Sequence, residues 1–160
     1  MSAIRIAPAT PGDVPLVLEF IRGLAVYEKL EHEVVVTAAG LEDALFGRRP
    51  VAEALIAHLD DAPVGFAFTF ETFSTFVGTR GTWLEDLFVV PEARGRGVGR
   101  ALLAALAARC VERGQARLEW AVLDWNEPAI RFYGSMGAAP MDEWTTHRVS
   151  GEALTQLAKA

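Results

Sequence analysis

Residues 83–106 read WLEDLFVVPEARGRGVGRALLAAL. Trp83, Leu84, Leu87, Phe88, Val89 and Val90 form an apolar run that predicts a buried strand. Pro91 has no N–H to give a ladder and ends it. Val98, Leu102, Leu106 and Cys110 then recur every four residues, which predicts one face of a helix packed on a sheet. Between strand and helix lies a turn of arginines and glycines, Arg94 to Arg100. A helix start leaves backbone N–H groups without partners and carries partial positive charge. Glycines let a bulky anion approach that backbone, and arginines add full charge around it. Each hydrogen bond to a charged oxygen is worth roughly 1.5–3 kcal/mol, so a few of them hold a diphosphate without a metal.

The loop does not fit the common phosphate motifs. A dinucleotide fingerprint starting at Gly95 would need glycine where Arg100 stands, and one starting at Gly97 would need glycine or alanine at Leu102. The G-x-x-x-x-G-K-[ST] loop is absent. R-x-x-G-x-G does fit, as Arg94, Gly97 and Gly99. Beside it stands a plainer reading, a basic strand-to-helix turn with no ligand.

With 160 residues, 51% hydrophobic and 22% charged, the chain is expected to fold as one globular domain over residues 1–160. A net charge of −6 argues against a general nucleic-acid binder and is compatible with a cationic substrate. Cys110 is the one cysteine, so no internal disulfide forms and a cytoplasmic location is the default. The start, Met1-Ser2-Ala3-Ile4-Arg5, holds no apolar signal core, and no apolar run approaches the ~18 residues of a membrane span. His32, His58 and His147 are scattered without ligand spacing, so no metal site is expected.

Along the chain, Ile4 to Ala7 alternates as a first strand. Thr10, Pro11 and Asp13 start a helix with Val14, Val17, Leu18, Ile21, Leu24 and Ala25 as its buried stripe. Thr37 caps a second helix that Gly47 and Pro50 stop. Strands are expected over 52–59 and 64–73, paired as a hairpin, with a third strand entering the Trp83 stretch. After the Val98 helix come a strand over 116–123, a helix capped by Asn126 and stopped by Gly137, a strand over 144–149 and a helix capped by Ser150. The fold class is α/β, a mixed, mostly antiparallel sheet flanked by helices.

Four segments carry the chemistry: the Arg94 loop; Leu84-Glu85-Asp86-Leu87-Phe88-Val89; Trp125-Asn126-Glu127-Pro128-Ala129-Ile130-Arg131-Phe132-Tyr133; and Leu24-Ala25-Val26-Tyr27-Glu28. In these the sequence resembles the GNAT superfamily of acetyl-CoA-dependent N-acetyltransferases, in its diamine (spermidine/spermine-type) and thialysine branch. The resemblance implies that Leu87, Phe88 and Val89 offer main-chain groups to the pantetheine arm of acetyl-CoA. It implies that Arg94, Gly95, Arg96, Gly97, Val98, Gly99 and Arg100 hold the pyrophosphate, and that Asn126, Glu127, Pro128 and Ala129 lie near the sulfur. Tyr133 would be the general acid, and Glu85 would face the amine and activate it through water. Tyr27, Glu28, Glu119, Trp120, Ala121 and Asp142 would line the amine pocket, with Glu143 an alternative to Asp142. A homodimer is implied as well.

The residues themselves leave plainer alternatives open. Tyr133 shares a helical face with Ile130 and Gly137 and reads alone as a core aromatic. Glu85, between Leu84 and Leu87, reads as a carboxylate on an apolar strand that needs a partner or a role. Asp86 points to the opposite face and reads as structural, and Glu28, Glu31 and Glu33 as a solvated helix end. Trp83, Trp120, Trp125 and Trp144 read as packing residues. The expected activity is acetyl transfer to a primary amine of a polyamine, a diamine or a lysine-like amino acid such as thialysine. The other readings are a protein or antibiotic amine as acceptor, or an acetyl-CoA-binding module without turnover.

Overall fold

The computed structural model describes residues 3–160; the start at Met1-Ser2 lies outside them. The chain divides into two compact units, Met1–Ala121 and Val122–Ala160. In the first, β1 (Ile4–Pro8) leads through a 3-10 turn at Pro11–Asp13 into α1 (Val14–Glu28). Asp13 Oδ2 accepts from Thr10 N at 2.7 Å and from Thr10 Oγ1 at 2.9 Å, the reciprocal pairing that starts a helix. Then come α2 (Ala38–Phe46), β2 (Glu53–Leu59), β3 (Ala62–Ser74), β4 (Thr79–Val89), α3 (Val98–Glu112) and β5 (Leu118–Glu119). Thr37 caps α2 as its position predicts, Oγ1 accepting from Gly40 N at 3.1 Å.

The sheet order is β1-β2-β3-β4-β5. All pairs are antiparallel except β4 with β5. The expected α/β class, a mixed and mostly antiparallel sheet flanked by helices, is what forms. Ile56, Phe66 and Phe88 lie side by side across β2, β3 and β4 and face α1 and α2. Phe20 of α1 stacks on Phe66 at 5.6 Å between ring centroids and leans on Phe88 at 6.0 Å. Leu55, Ala57 and Ala67 point the other way and are buried on the side that α3 covers. The stripe read from the sequence, Val98, Leu102, Leu106 and Cys110, is buried along its whole length.

Three expectations change. The strand over 116–123 shrinks to two residues, because only Leu118 and Glu119 reach parallel pairing with Thr82 and Trp83. In the second unit, α4 (Glu127–Gly134) and α5 (Gly151–Leu157) form, but residues 144–149 make no strand. An alternating pattern marks a strand only where a ladder accepts it, and that segment is exposed throughout. Trp125 and Trp144 are 52% and 75% exposed rather than packed, while Trp83 and Trp120 are half-buried.

The approach of α1 to β4 depends on Gly23. A Cβ there would meet Phe88 Cζ at 2.7 Å, and that ring is wedged in the core. Gly23→Ala gains about 1 kcal/mol in helix propensity. It is still expected to lower stability by about 1–2 kcal/mol, because overpacking a filled core costs more. Urea unfolding of the two proteins measures the difference.

Candidate active site

The site begins with an irregularity in β4. Phe68 pairs with Asp86, but its neighbour Thr69 pairs with Leu84. Glu85 is the extra residue of a β-bulge, with no partner across the ladder. The bulge resets the alternation, so on β4 the α1 side carries Phe88, Asp86 and Trp83, opposite Phe66, Phe68 and Phe70. Leu87 and Leu84 face the α3 side. The reading of Glu85 as a buried carboxylate therefore changes, while Asp86 does lie on the face opposite Leu84 and Leu87. Glu85 is exposed, and its Oε2 accepts from Trp83 Nε1 at 2.9 Å. Asp86, read as structural, is the half-buried carboxyl on the apolar face. Two-residue alternation already places Asp86 with Phe88; what it does not show is the bulge that brings Trp83 onto the same face and leaves Glu85 exposed.

Asp86 has charged company. Glu28 ends α1 and is half-buried, its carboxyl raised by desolvation. Burial first, then the charges of Glu85 and Glu28, push Asp86 up to about 6. Three carboxyl groups from two elements thus share one corner of the first unit. Like charges held together make a place where an ammonium group is attracted.

The glycine loop adjoins the same strand. After Val89, a 3-10 turn at Pro91–Ala93 leads to Arg94, and Gly95 and Gly97 take φ of 73° and 87°. These left-handed turns cost glycine little and other residues more. Gly97 is the N-cap of α3 and brings no side chain to cap it. The first-turn N–H groups at Val98, Gly99 and Arg100 have no partner inside the helix. Gly95, Arg96, Gly97 and Arg100 are exposed around them. The arrangement suits a diphosphate, held by amides and the helix dipole.

Arg94 itself points elsewhere. Its Nε donates to Val89 O at 2.9 Å, and its guanidinium lies 5.0 Å above the Tyr27 ring and 5.6 Å from the Phe88 ring. Beyond Trp83, β4 has no strand beside it on the β5 edge, so Leu87, Phe88 and Val89 border an open edge within this unit. Glu119 sits on β5 opposite Trp83, 4.0 Å from Arg117; Trp120 and Ala121 follow it.

The second unit carries the remaining candidates. Asn126 is buried and caps α4, Oδ1 accepting from Ala129 N at 3.4 Å. Glu127 pairs with Arg131 at 3.9 Å, and Pro128 fills the first turn. Tyr133 is half-buried, its ring 5.5 Å from that of Phe132, and α4 has no fully buried residue. Asp142 lies in an exposed turn. Among the described residues no cluster of three or more His, Cys, Asp or Glu could hold a metal ion.

The Asp86 environment has a measurable consequence. From an ordinary 3.8 to about 6 in the fold, the folded protein holds this proton more tightly than the unfolded chain. That contribution is complete below pH 4 and is lost as pH rises through 6. Asp86→Asn is therefore expected to be more stable than wild type at pH 7.5, by up to about 3 kcal/mol. The gap should close near pH 4. Thermal unfolding across pH 4–8 tests both the sign and the window.

Comparison with known proteins completes the description. Residues 21–138 match the family described as Acetyltransferase (GNAT) family. A thialysine N-epsilon-acetyltransferase from Sus scrofa is 35% identical, over 99% of this chain and 99% of that protein. An L-ornithine N5-acetyltransferase from Arabidopsis thaliana is 32% identical over 97% of this chain and 88% of its own. Among solved structures, an integron cassette protein from the mobile metagenome of V. cholerae superposes with a TM-score of 0.81 at 25% identity, covering 98% of each chain. With the glycine loop, the bulged strand and these full-length relatives in hand, the chain belongs to the GNAT acetyltransferase family and is an enzyme of that kind.

Proposed function

We propose that residues 1–160 work as one N-acetyltransferase domain that moves acetyl from acetyl-CoA to a primary amine of a small cationic molecule. The acceptor is a polyamine, a diamine or a thialysine- or lysine-like amino acid. The observation that carries this reading is the corner formed by Glu28, Glu85 and Asp86, next to a loop suited to a diphosphate. The names of the Sus scrofa and Arabidopsis thaliana relatives, acting on thialysine and ornithine, point the same way.

The chemistry then divides among named groups. Main-chain groups of Leu87, Phe88 and Val89 take the pantetheine arm, as an added strand would. Amides and side chains from Gly95 to Arg100 take the pyrophosphate, and Asn126, Glu127, Pro128 and Ala129 lie near the sulfur. Tyr27, Glu28, Glu119, Trp120, Ala121 and Asp142 recognise the amine. An alkyl ammonium has a pKa near ~10.4, so about one molecule in a thousand is neutral at pH 7. Glu85, with Asp86 beside it, accepts the proton through water. The freed nitrogen attacks the thioester carbonyl carbon, and a strand N–H holds the oxyanion. The C–S bond breaks, and Tyr133 gives its proton to the departing thiolate. With the thiol near ~8.5 and tyrosine near ~10, that transfer is uphill by ~2 kcal/mol, which a positioned group tolerates. Attack in a ternary complex is favoured over an acetyl-enzyme because the one thiol, Cys110, is buried on the packed face of α3. The enzyme is further proposed to act as a homodimer in the cytoplasm, on the strength of the family resemblance and the single unpaired cysteine.

A screen of thiol release with thialysine, ornithine, lysine, spermidine, putrescine, a peptide amine and an aminoglycoside tests the acceptor. Turnover with small diamines or lysine-like amines is expected. Turnover with the peptide or the antibiotic alone would move the assignment to those acceptors. Coenzyme binding without release for any amine would leave a non-catalytic module. Tyr133→Phe is expected to lower kcat by 10²–10⁴ with coenzyme A affinity within twofold of wild type. Stopped-flow turnover and calorimetry read the two quantities, and an unchanged kcat removes Tyr133 from its role.

A further inference from the structure

We infer that Arg94 is a positioning residue that fastens Tyr27, on the amine side, to the coenzyme loop, so that one side chain sets the geometry of both substrate sites. The inference rests on the acetyl-transfer reading for what Tyr27 and the loop bind. It rests on the structure for how they are joined.

Arg94 stands where three elements meet: the end of β4, the start of the glycine loop and the last turn of α1. Its side chain folds back from the loop. Nε donates in its own plane to Val89 O at 2.9 Å, and the guanidinium lies 5.0 Å above Tyr27 and 5.6 Å from Phe88. The rings differ in freedom. Phe88 is buried and held by Phe20 and by the close approach at Gly23. Tyr27 is half-buried in the last turn of α1, next to Glu28. Arg94 therefore bears on a fixed ring on one side and on a ring at the amine corner on the other.

Only arginine does all of this. Its planar fork donates hydrogen bonds at the edge while its flat face lies over aromatic rings. Lysine supplies the same charge near a phosphate but cannot stack and donate in plane together. An arginine present only to neutralise a diphosphate would tolerate lysine. One that braces Tyr27 would not, and the disturbance would appear at the amine. The coupling is reciprocal, so removal of the Tyr27 ring should also be felt by the coenzyme.

A double-mutant cycle of Arg94→Lys and Tyr27→Leu tests this on the full chain, with coenzyme A binding and amine kinetics as readouts. Arg94→Lys is expected to raise the amine KM about fivefold, or about 1 kcal/mol, with kcat within twofold. Tyr27→Leu is expected to weaken coenzyme A about fivefold, and Tyr27→Phe, which keeps the ring, to restore it. The double variant should be no worse for coenzyme A than the worse single variant. Additive losses, or wild-type coenzyme affinity in Tyr27→Leu, would overturn the inference. If Tyr27→Leu does not fold, the amine KM of Arg94→Lys decides, and an unchanged value overturns it. If wild type turns over no amine, the acetyl-transfer reading fails, and the coenzyme A arm of the cycle still decides whether Arg94 joins the two sites.

Discussion

One residue more on β4 than on β3 sets which side chains share the face under α1. With Glu85 bulged out of the ladder, the strand changes phase between Leu84 and Asp86. Below the bulge the α1 face carries Trp83; above it, the same face carries Asp86 and Phe88. Asp86 and Phe88, two residues apart, share one face; the extra residue puts Trp83 rather than Leu84 beside them on it. The strain of three carboxyl groups in one corner is sustained by the packing beneath, where Phe20, Phe66 and Phe88 hold α1 against the sheet. Such unfavourable charge placement is tolerated at functional sites because a ligand of opposite charge relieves it.

The core and the loop were legible because each rests on a local pattern that tertiary structure did not override. Val98, Leu102, Leu106 and Cys110 needed only a helix to fall on one face. Thr10, Thr37 and Asn126 needed only the local geometry of helix starts. The Arg94–Arg100 turn was visible in glycine spacing, and its positive φ values at Gly95 and Gly97 follow from residue type. What was not legible depends on pairing. A bulge leaves no mark in residue types, so the exposure of Glu85 and the place of Trp83 beside Asp86 were hidden. Residues 144–149 alternate well but have no ladder to join, and the strand over 116–123 paired at two positions only. The neighbours of Arg94 were also hidden: its spacing says nothing of the Tyr27 and Phe88 rings that lie 5.0 and 5.6 Å from its guanidinium.

The glycine loop and the carboxyl corner of the first unit offer different physics. The loop at α3 offers neutral amides and a helix dipole, fixed in place and insensitive to pH near neutrality. The carboxyl corner contains one strongly perturbed group, Asp86, pushed up to about 6 by burial and its acidic neighbours. An anion-binding and a cation-binding feature on neighbouring parts of one strand would cancel if they met. Val89, Pro91 and the 3-10 turn at Pro91–Ala93 separate them along the chain, and Arg94 spans the gap.

The open side of β4 has a second meaning. From Leu84 to Val89 no strand among the described residues of the first unit pairs along the β5 edge, so within that unit a run of main-chain groups borders an open edge. Such edges are where sheets of separate molecules zip together into aggregates. Glu85 and Asp86 stand at the point where an intruding strand would have to register, and the bulge bends the edge out of plane there. Charged residues at such a point act as gatekeepers against edge-to-edge pairing, so replacing both with apolar side chains would threaten solubility.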